Sequence, residues 1–126
     1  MKRTLIPLTI IALAALAFAA PAVQAKDGNE RIIPLKSSSA FPGAKGKAKL
    51  KVDGQRELEI EIEHVRRLAG QRVNFFVNSK KLGSKRISGL GAAQLDRRGS
   101  NFPAIGSGTR ISVKTAGGKL IVSGRF

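Results

Sequence analysis

Four pairs of adjacent cations, Arg66-Arg67, Lys80-Lys81, Lys85-Arg86 and Arg97-Arg98, are the residues whose type and spacing point most directly to chemistry. Arg offers a planar fork of donors that matches phosphate, sulfate or carboxylate bidentately, and Lys acts as a point charge. Neighbouring residues on a strand face opposite ways, so a pair inside a strand divides its charge. A pair in a loop can turn both side chains to one ligand. Each of the four falls near an expected turn or strand end, which makes these eight residues the candidate polyanion-binding site. The competing reading is a solvated cationic surface that keeps the protein soluble, because high net charge alone names no partner.

Other chemistries find less support. The chain has no Cys and one His, which removes disulfide frameworks, thiol nucleophiles and Cys- or His-based zinc sets. His64 continues the even-numbered apolar positions Leu58, Ile60 and Ile62, and is expected at the rim of a core. A Ser-His-Asp triad would have to use it, and no Gly-x-Ser-x-Gly elbow exists. Glu57, Glu59, Glu61 and Glu63 form the one carboxylate cluster, spaced about 6.8 Å apart on one face of a strand. Lys neighbours would neutralise it, so it is expected as a solvated ladder rather than a glycosidase pair or calcium site. Gly89-Leu90-Gly91 and Gly83-Ser84-Lys85 lack the rest of a dinucleotide fingerprint or a P-loop and are expected as turns. Gly106-Ser107-Gly108 is expected as an ordinary loop. Phe76, out of phase with Phe75, is the one evident candidate for an exposed aromatic, too little for specific nucleic-acid binding by base stacking. No catalytic residue, cofactor or metal site is assigned, and the protein is expected not to be an enzyme.

The charge is unevenly placed. The 126 residues include 23 Lys plus Arg and 8 Asp plus Glu, a formal net charge of +15. Residues 45–63 are neutral, with five cations against five anions, whereas residues 64–126 carry 13 cations against Asp96 alone. Two further cations, Lys2 and Arg3, precede the apolar stretch Leu5–Ala20, and Val23-Gln24-Ala25 places small residues at −3 and −1 of a cleavage point. That order is a secretory signal peptide. Residues 1–25 are therefore expected to be removed after Ala25, leaving a secreted or periplasmic protein with no transmembrane segment.

The elements that must position the cations follow from period and punctuation. Residues 26–45 mix charges, Ser and Pro without sustained period and are expected as a flexible leader. From residue 46 the period is two. Ala48, Leu50 and Val52 alternate with Lys47, Lys49 and Lys51, and Leu58, Ile60 and Ile62 alternate with the Glu row. For the apolar positions to share a face, paired numbers must sum to an even value. An odd loop, of three residues with Gly54 left-handed, satisfies this and sets the Lys row against the Glu row. Further strands are expected over 72–77, 82–87, 92–95, 109–115 and from 120, with His64–Leu68 open between strand and a short helical turn. A two-residue Gly117-Gly118 loop would pair Thr115 with Leu120, Val113 with Val122 and Ile111 with Gly124. Phe126 is expected to plug the end of the core.

About seven short strands with Gly-rich turns indicate an all-β fold in residues 46–126, a small antiparallel Ig-like β-sandwich or, alternatively, a small barrel. The functional expectation is a non-enzymatic exported basic domain that binds anionic envelope or extracellular polymers through its loop Arg and Lys pairs. The alternative is a structural or protein-interaction domain of the cell envelope, with a protein partner, whose charge serves only solubility.

Overall fold

The computed structural model describes residues 24–26 and 29–126. They form nine strands: β1 (Gln24–Lys26), β2 (Glu30–Ser37), β3 (Lys45–Asp53), β4 (Gln55–Glu63), β5 (Arg72–Val77), β6 (Lys80–Arg86), β7 (Ala93–Arg98), β8 (Arg110–Thr115) and β9 (Leu120–Arg125). One 3₁₀ turn, Arg66–Leu68, separates β4 from β5 and decides the 64–68 segment that period left open. No α-helix occurs among the described residues, and no helix there is long and apolar enough to cross a membrane. Every strand pair is antiparallel, in the order β6-β5-β8-β9-β2-β3-β4-β7, with β1 added beside β2. The protein is thus a small all-β fold whose sheet curls until it nearly closes.

Closure depends on β2. Its residues 30–35 pair with β3, whereas Lys36 and Ser37 pair with β9, so this strand turns the corner between two halves of the sheet. Pro34, which has no N–H to offer a ladder, sits just before the change of partner. Leu35 is packed at the corner between two glycines. A Cβ on Gly124 would lie 2.5 Å from the Pro34 carbonyl oxygen, and one on Gly46 would lie 2.9 Å from the Glu61 carbonyl oxygen. At the far edges β6 approaches β7, where Gly83 faces the Leu95 side chain.

Residues 26–45 are not a flexible leader from Glu30 onward. Ile33 and Leu35 are core residues, and Phe41 and Ala44 are buried in the following loop. That loop is tied down by Ser38, whose N–H donates to the Ile121 carbonyl and whose Oγ donates to that of Leu120, at 2.9 and 2.7 Å. Only two buried alternate positions, split by a proline, mark β2, too short a period to read without its neighbours. The expected cleavage point after Ala25 falls within β1, and residues 1–23 of the expected signal peptide lie outside the described residues.

The β3–β4 hairpin has the expected register. Leu50 pairs with Leu58 and Ala48 with Ile60, while Lys47 opposes Glu61, Lys49 opposes Glu59 and Lys51 opposes Glu57. Gly54 has φ +81°, the left-handed geometry the turn demands. Lys49 lies 3.5 Å from Glu59 and 3.7 Å from Glu30 on β2, and Lys47 lies 3.8 Å from Glu61, so the wet face is a charge ladder. Inside, Leu58, Ile60 and Ile62 meet Val73, Phe75, Val77, Ile111 and Val113 in one buried cluster. Each such side chain contributes about 1.5–3 kcal/mol relative to exposure.

Four local expectations change. Gly83-Ser84-Lys85, expected as a turn, lies within β6, paired with Phe75, Asn74 and Val73. His64 is exposed rather than at the core rim, with φ +65°. That left-handed residue shifts the phase of the chain, so that Val65, not His64, follows Ile62 into the core. The β8–β9 hairpin keeps Val113↔Val122 and Ile111↔Gly124, but a bulge after Val113 pairs Lys114, not Thr115, with Leu120. The Thr115 N–H instead donates to the Lys119 carbonyl, which widens the Gly117-Gly118 loop. Lys80 and Lys81, expected in a turn, begin β6, leaving Asn78-Ser79 as the turn, with Asn78 at φ +56°. Phe126 packs against the core as expected, with the Arg31 guanidinium 5.4 Å from its ring centre.

Candidate polyanion-binding surface

The near-barrel is divided electrostatically. On the β2-β3-β4-β7 side lie the Lys/Glu ladder and the Arg98–Glu57 pair at 3.3 Å, so Lys47, Lys49 and Arg98 each meet a carboxylate there. The β6-β5-β8-β9 side differs. Its two hairpins, residues 72–86 and 110–125, contain Arg72, Lys80, Lys81, Lys85, Arg86, Arg110, Lys114, Lys119 and Arg125, and no Asp or Glu. None of these nine lies within 4.0 Å of a described carboxylate.

Strand register decides which cations share a face. Val73, Phe75 and Val77 point into the core, so Arg72, Asn74 and Phe76 point outward. The cross-strand partners of these outward residues are Arg86, Ser84 and Lys81 on β6, and Lys114 and Ser112 on β8. Arg110 faces Arg125, and Ser112 faces Ser123. Around Phe76 the outer surface is therefore polar, with Asn74, Ser84 and Ser123 partly exposed and Ser112 buried among them, and it is bordered by cations. Two arginine pairs, Arg72 with Arg86 and Arg110 with Arg125, stand directly opposite one another across strands, an arrangement that repels. Backbone oxygens anchor one member of each: Arg86 donates to the Gly70 carbonyl at 2.7 Å and Arg125 to that of Gly108 at 2.9 Å. Phe76 is half-buried, with Lys114 Nζ 5.0 Å from its ring centre.

The eight residues expected as the site are only partly brought together. Lys81 and Arg86 join the outer face of the acid-free sheet. Lys80 and Lys85, opposite Val77 and Val73, belong to the other face of β6 and are exposed at its edge. Arg97 opposes Leu58 and turns inward, its Nε buried without a partner, whereas Arg98 is held by Glu57. Three pairs thus lie in strands, not loops, and the alternation of side chains splits each one. Arg66 and Arg67 do share a turn. Arg67 is engaged there, donating to the Ala40 carbonyl and lying 4.5 Å from the Phe41 ring centre, so it clamps the β2–β3 loop. Arg66 is exposed and borders two open hollows, of about 320 and 500 Å³, that flank His64. Arg72, Arg110, Lys114 and Arg125 were missed because isolated cations reveal nothing until strand pairing sets them side by side.

The remaining motifs are structural. In the 88–92 turn the Ser88 N–H donates to the Ala92 carbonyl, and Gly91, at φ +84°, lies so close to Arg66 that a Cβ would sit 2.5 Å from its nitrogen. In the 106–108 loop the Gly106 and Gly108 N–H groups donate to Thr109 Oγ1 and the Phe126 carbonyl, so neither is free for an anion. His64 Nε2 lies 3.8 Å from Glu63, but both side chains are more than half exposed. No three potential metal ligands among the described His, Asp and Glu come together.

Fold and surface define a class, a small all-β domain with one self-neutralised side and one purely cationic side. No protein-family model matches the chain, and neither a curated protein nor a solved structure is significantly similar to it.

Proposed function

We propose that this protein is an exported, non-enzymatic domain that binds anionic polymers of the cell envelope or extracellular space. The observation that supports this reading is charge segregation: nine cations and no Asp or Glu in two adjoining hairpins, while the Lys/Glu ladder lies on the other side. Solubility alone is served by dispersed charge of both signs and does not need an acid-free sheet. The test is binding of the purified protein to immobilised heparin and polyphosphate over a salt series. Retention should fall steeply and log-linearly with salt, as it does when cations replace the counterions of a polyanion. No retention at physiological salt would refute the proposal.

One feature favours a second reading, a protein-interaction domain whose charge only maintains solubility. Leu90 is 76% exposed and borders, with Glu63, His64 and Arg66, one of the two hollows. That reading expects crosslinking of an envelope partner that is lost in Leu90→Asp, with no retention on polyanions.

A further inference from the structure

The two opposed arginine pairs define how a polyanion would lie, and of what kind. Arg72 and Arg86 occupy one end of the outer face of the β6-β5-β8-β9 sheet, and Arg110 and Arg125 the other. Their separation follows from the register. The Asn78 N–H donates to the Arg110 carbonyl at 2.7 Å, and Asn78 Oδ1 accepts from the Arg110 N–H at 3.0 Å, so residues 78 and 110 lie side by side. From Arg72 to Asn78 is six residues of nearly continuous strand, about 20 Å along the strands at roughly 3.3–3.4 Å per residue. The pairs are also offset sideways by two strand spacings of about 4.8 Å each, so about 20 Å is the minimum span. No single phosphate, sulfate or carboxylate spans that distance. Lys81 and Lys114 lie between the pairs, beside Phe76.

Direct opposition of like charges destabilises a sheet, and here it occurs twice on one face with no described carboxylate in range. An anionic group between the two guanidinium forks of a pair reverses that repulsion and accepts charge-assisted hydrogen bonds from both. The covering of Phe76 separates the candidate polymers. It is the only aromatic side chain on the face, half-buried under Lys114, so successive bases have no run of open rings on which to stack. Ser123 offers its hydroxyl, and Asn74, whose Oδ1 accepts from Ser84 Oγ at 2.8 Å, offers its amide N–H groups instead. Resting on the polyanion reading above, we infer that the face binds a linear acidic polysaccharide laid along the strands, with its anionic substituents held by the Arg72/Arg86 and Arg110/Arg125 pairs at the two ends.

Titration calorimetry with size-fractionated heparin fragments and oligogalacturonates tests this, with single-stranded oligothymidylate as comparison. Affinity should step up at least about tenfold once the fragment exceeds the 20 Å span, because the second pair is then engaged intramolecularly. R72Q/R86Q and R110Q/R125Q should each abolish the step and lower the salt slope by about one per arginine removed, and a short fragment should still bind each variant through the remaining pair. Affinity that grows smoothly with length, or a step untouched in both variants, overturns the inference while leaving general polyanion binding intact. Tighter binding of oligothymidylate than of fragments of equal charge and length overturns the polysaccharide assignment. If no polyanion binds the unsubstituted protein, the function itself is refuted.

Discussion

Arg72→Glu separates a surface shaped for a ligand from one that is merely basic. Arg72 opposes Arg86 in the β5–β6 ladder, and Arg86 is fixed by its hydrogen bond to the Gly70 carbonyl, so it does not simply swing away. Taking the ~5.5 Å Cβ spacing of directly opposed residues as the charge separation, two unit charges repel by about 0.75 kcal/mol in water, or roughly 0.4 kcal/mol after screening at 0.1 M salt. Reversing one sign turns that repulsion into an attraction of equal size, a gain of roughly 0.9 kcal/mol. For a domain of this size the melting temperature should rise by about 4–7 °C. At 1 M salt the Debye length is about 3 Å, and the gain should shrink to roughly 1–2 °C. Arg72→Gln should show about half of each shift. Thermal denaturation followed by circular dichroism at the two salt concentrations reads the effect, and the same variants should lose affinity for polyanions. A melting temperature unchanged or lowered by Arg72→Glu at low salt would refute the idea that opposed arginines store repulsion here.

Three further outcomes follow from the packing. Phe75→Ala empties the most voluminous fully buried side chain and should cost about 3–5 kcal/mol in chemical denaturation. Gly91→Ala places a Cβ 2.5 Å from the Arg66 nitrogen at φ +84°, so a loss above about 2 kcal/mol is expected, with faster hydrogen exchange in the 66–68 turn. Lys49→Gln removes the cation shared by Glu30 and Glu59, both partly exposed, and should cost only about 0.5–1 kcal/mol, vanishing at high salt.

Half of this molecule is readable along the chain and half is not. The β3–β4 hairpin was legible because period and charge agree over nine-residue strands: one even register buries Leu50 against Leu58 and also sets Lys against Glu. β2 was illegible because its evidence is tertiary. Ile33 and Leu35 become core only when Gly46 and Gly124 leave room for Leu35 at the corner of the sheet. His64 shows the limit of pattern extension, since one left-handed residue handed its place to Val65.

The basic pairs mark the same boundary in function. Sequence by itself determined that the excess charge lies beyond residue 63, that the Lys/Glu segment cancels itself, and that no Cys chemistry is available. Adjacency in sequence did not become adjacency in space. Three of the four pairs lie in strands, where successive side chains face opposite ways, and Glu57 took Arg98 out of play. Only the antiparallel registers of β5 with β6 and of β8 with β9 decided that Arg72 meets Arg86 and Arg110 meets Arg125. Hydrogen bonding between distant segments, rather than spacing along the chain, sets which charges share a face.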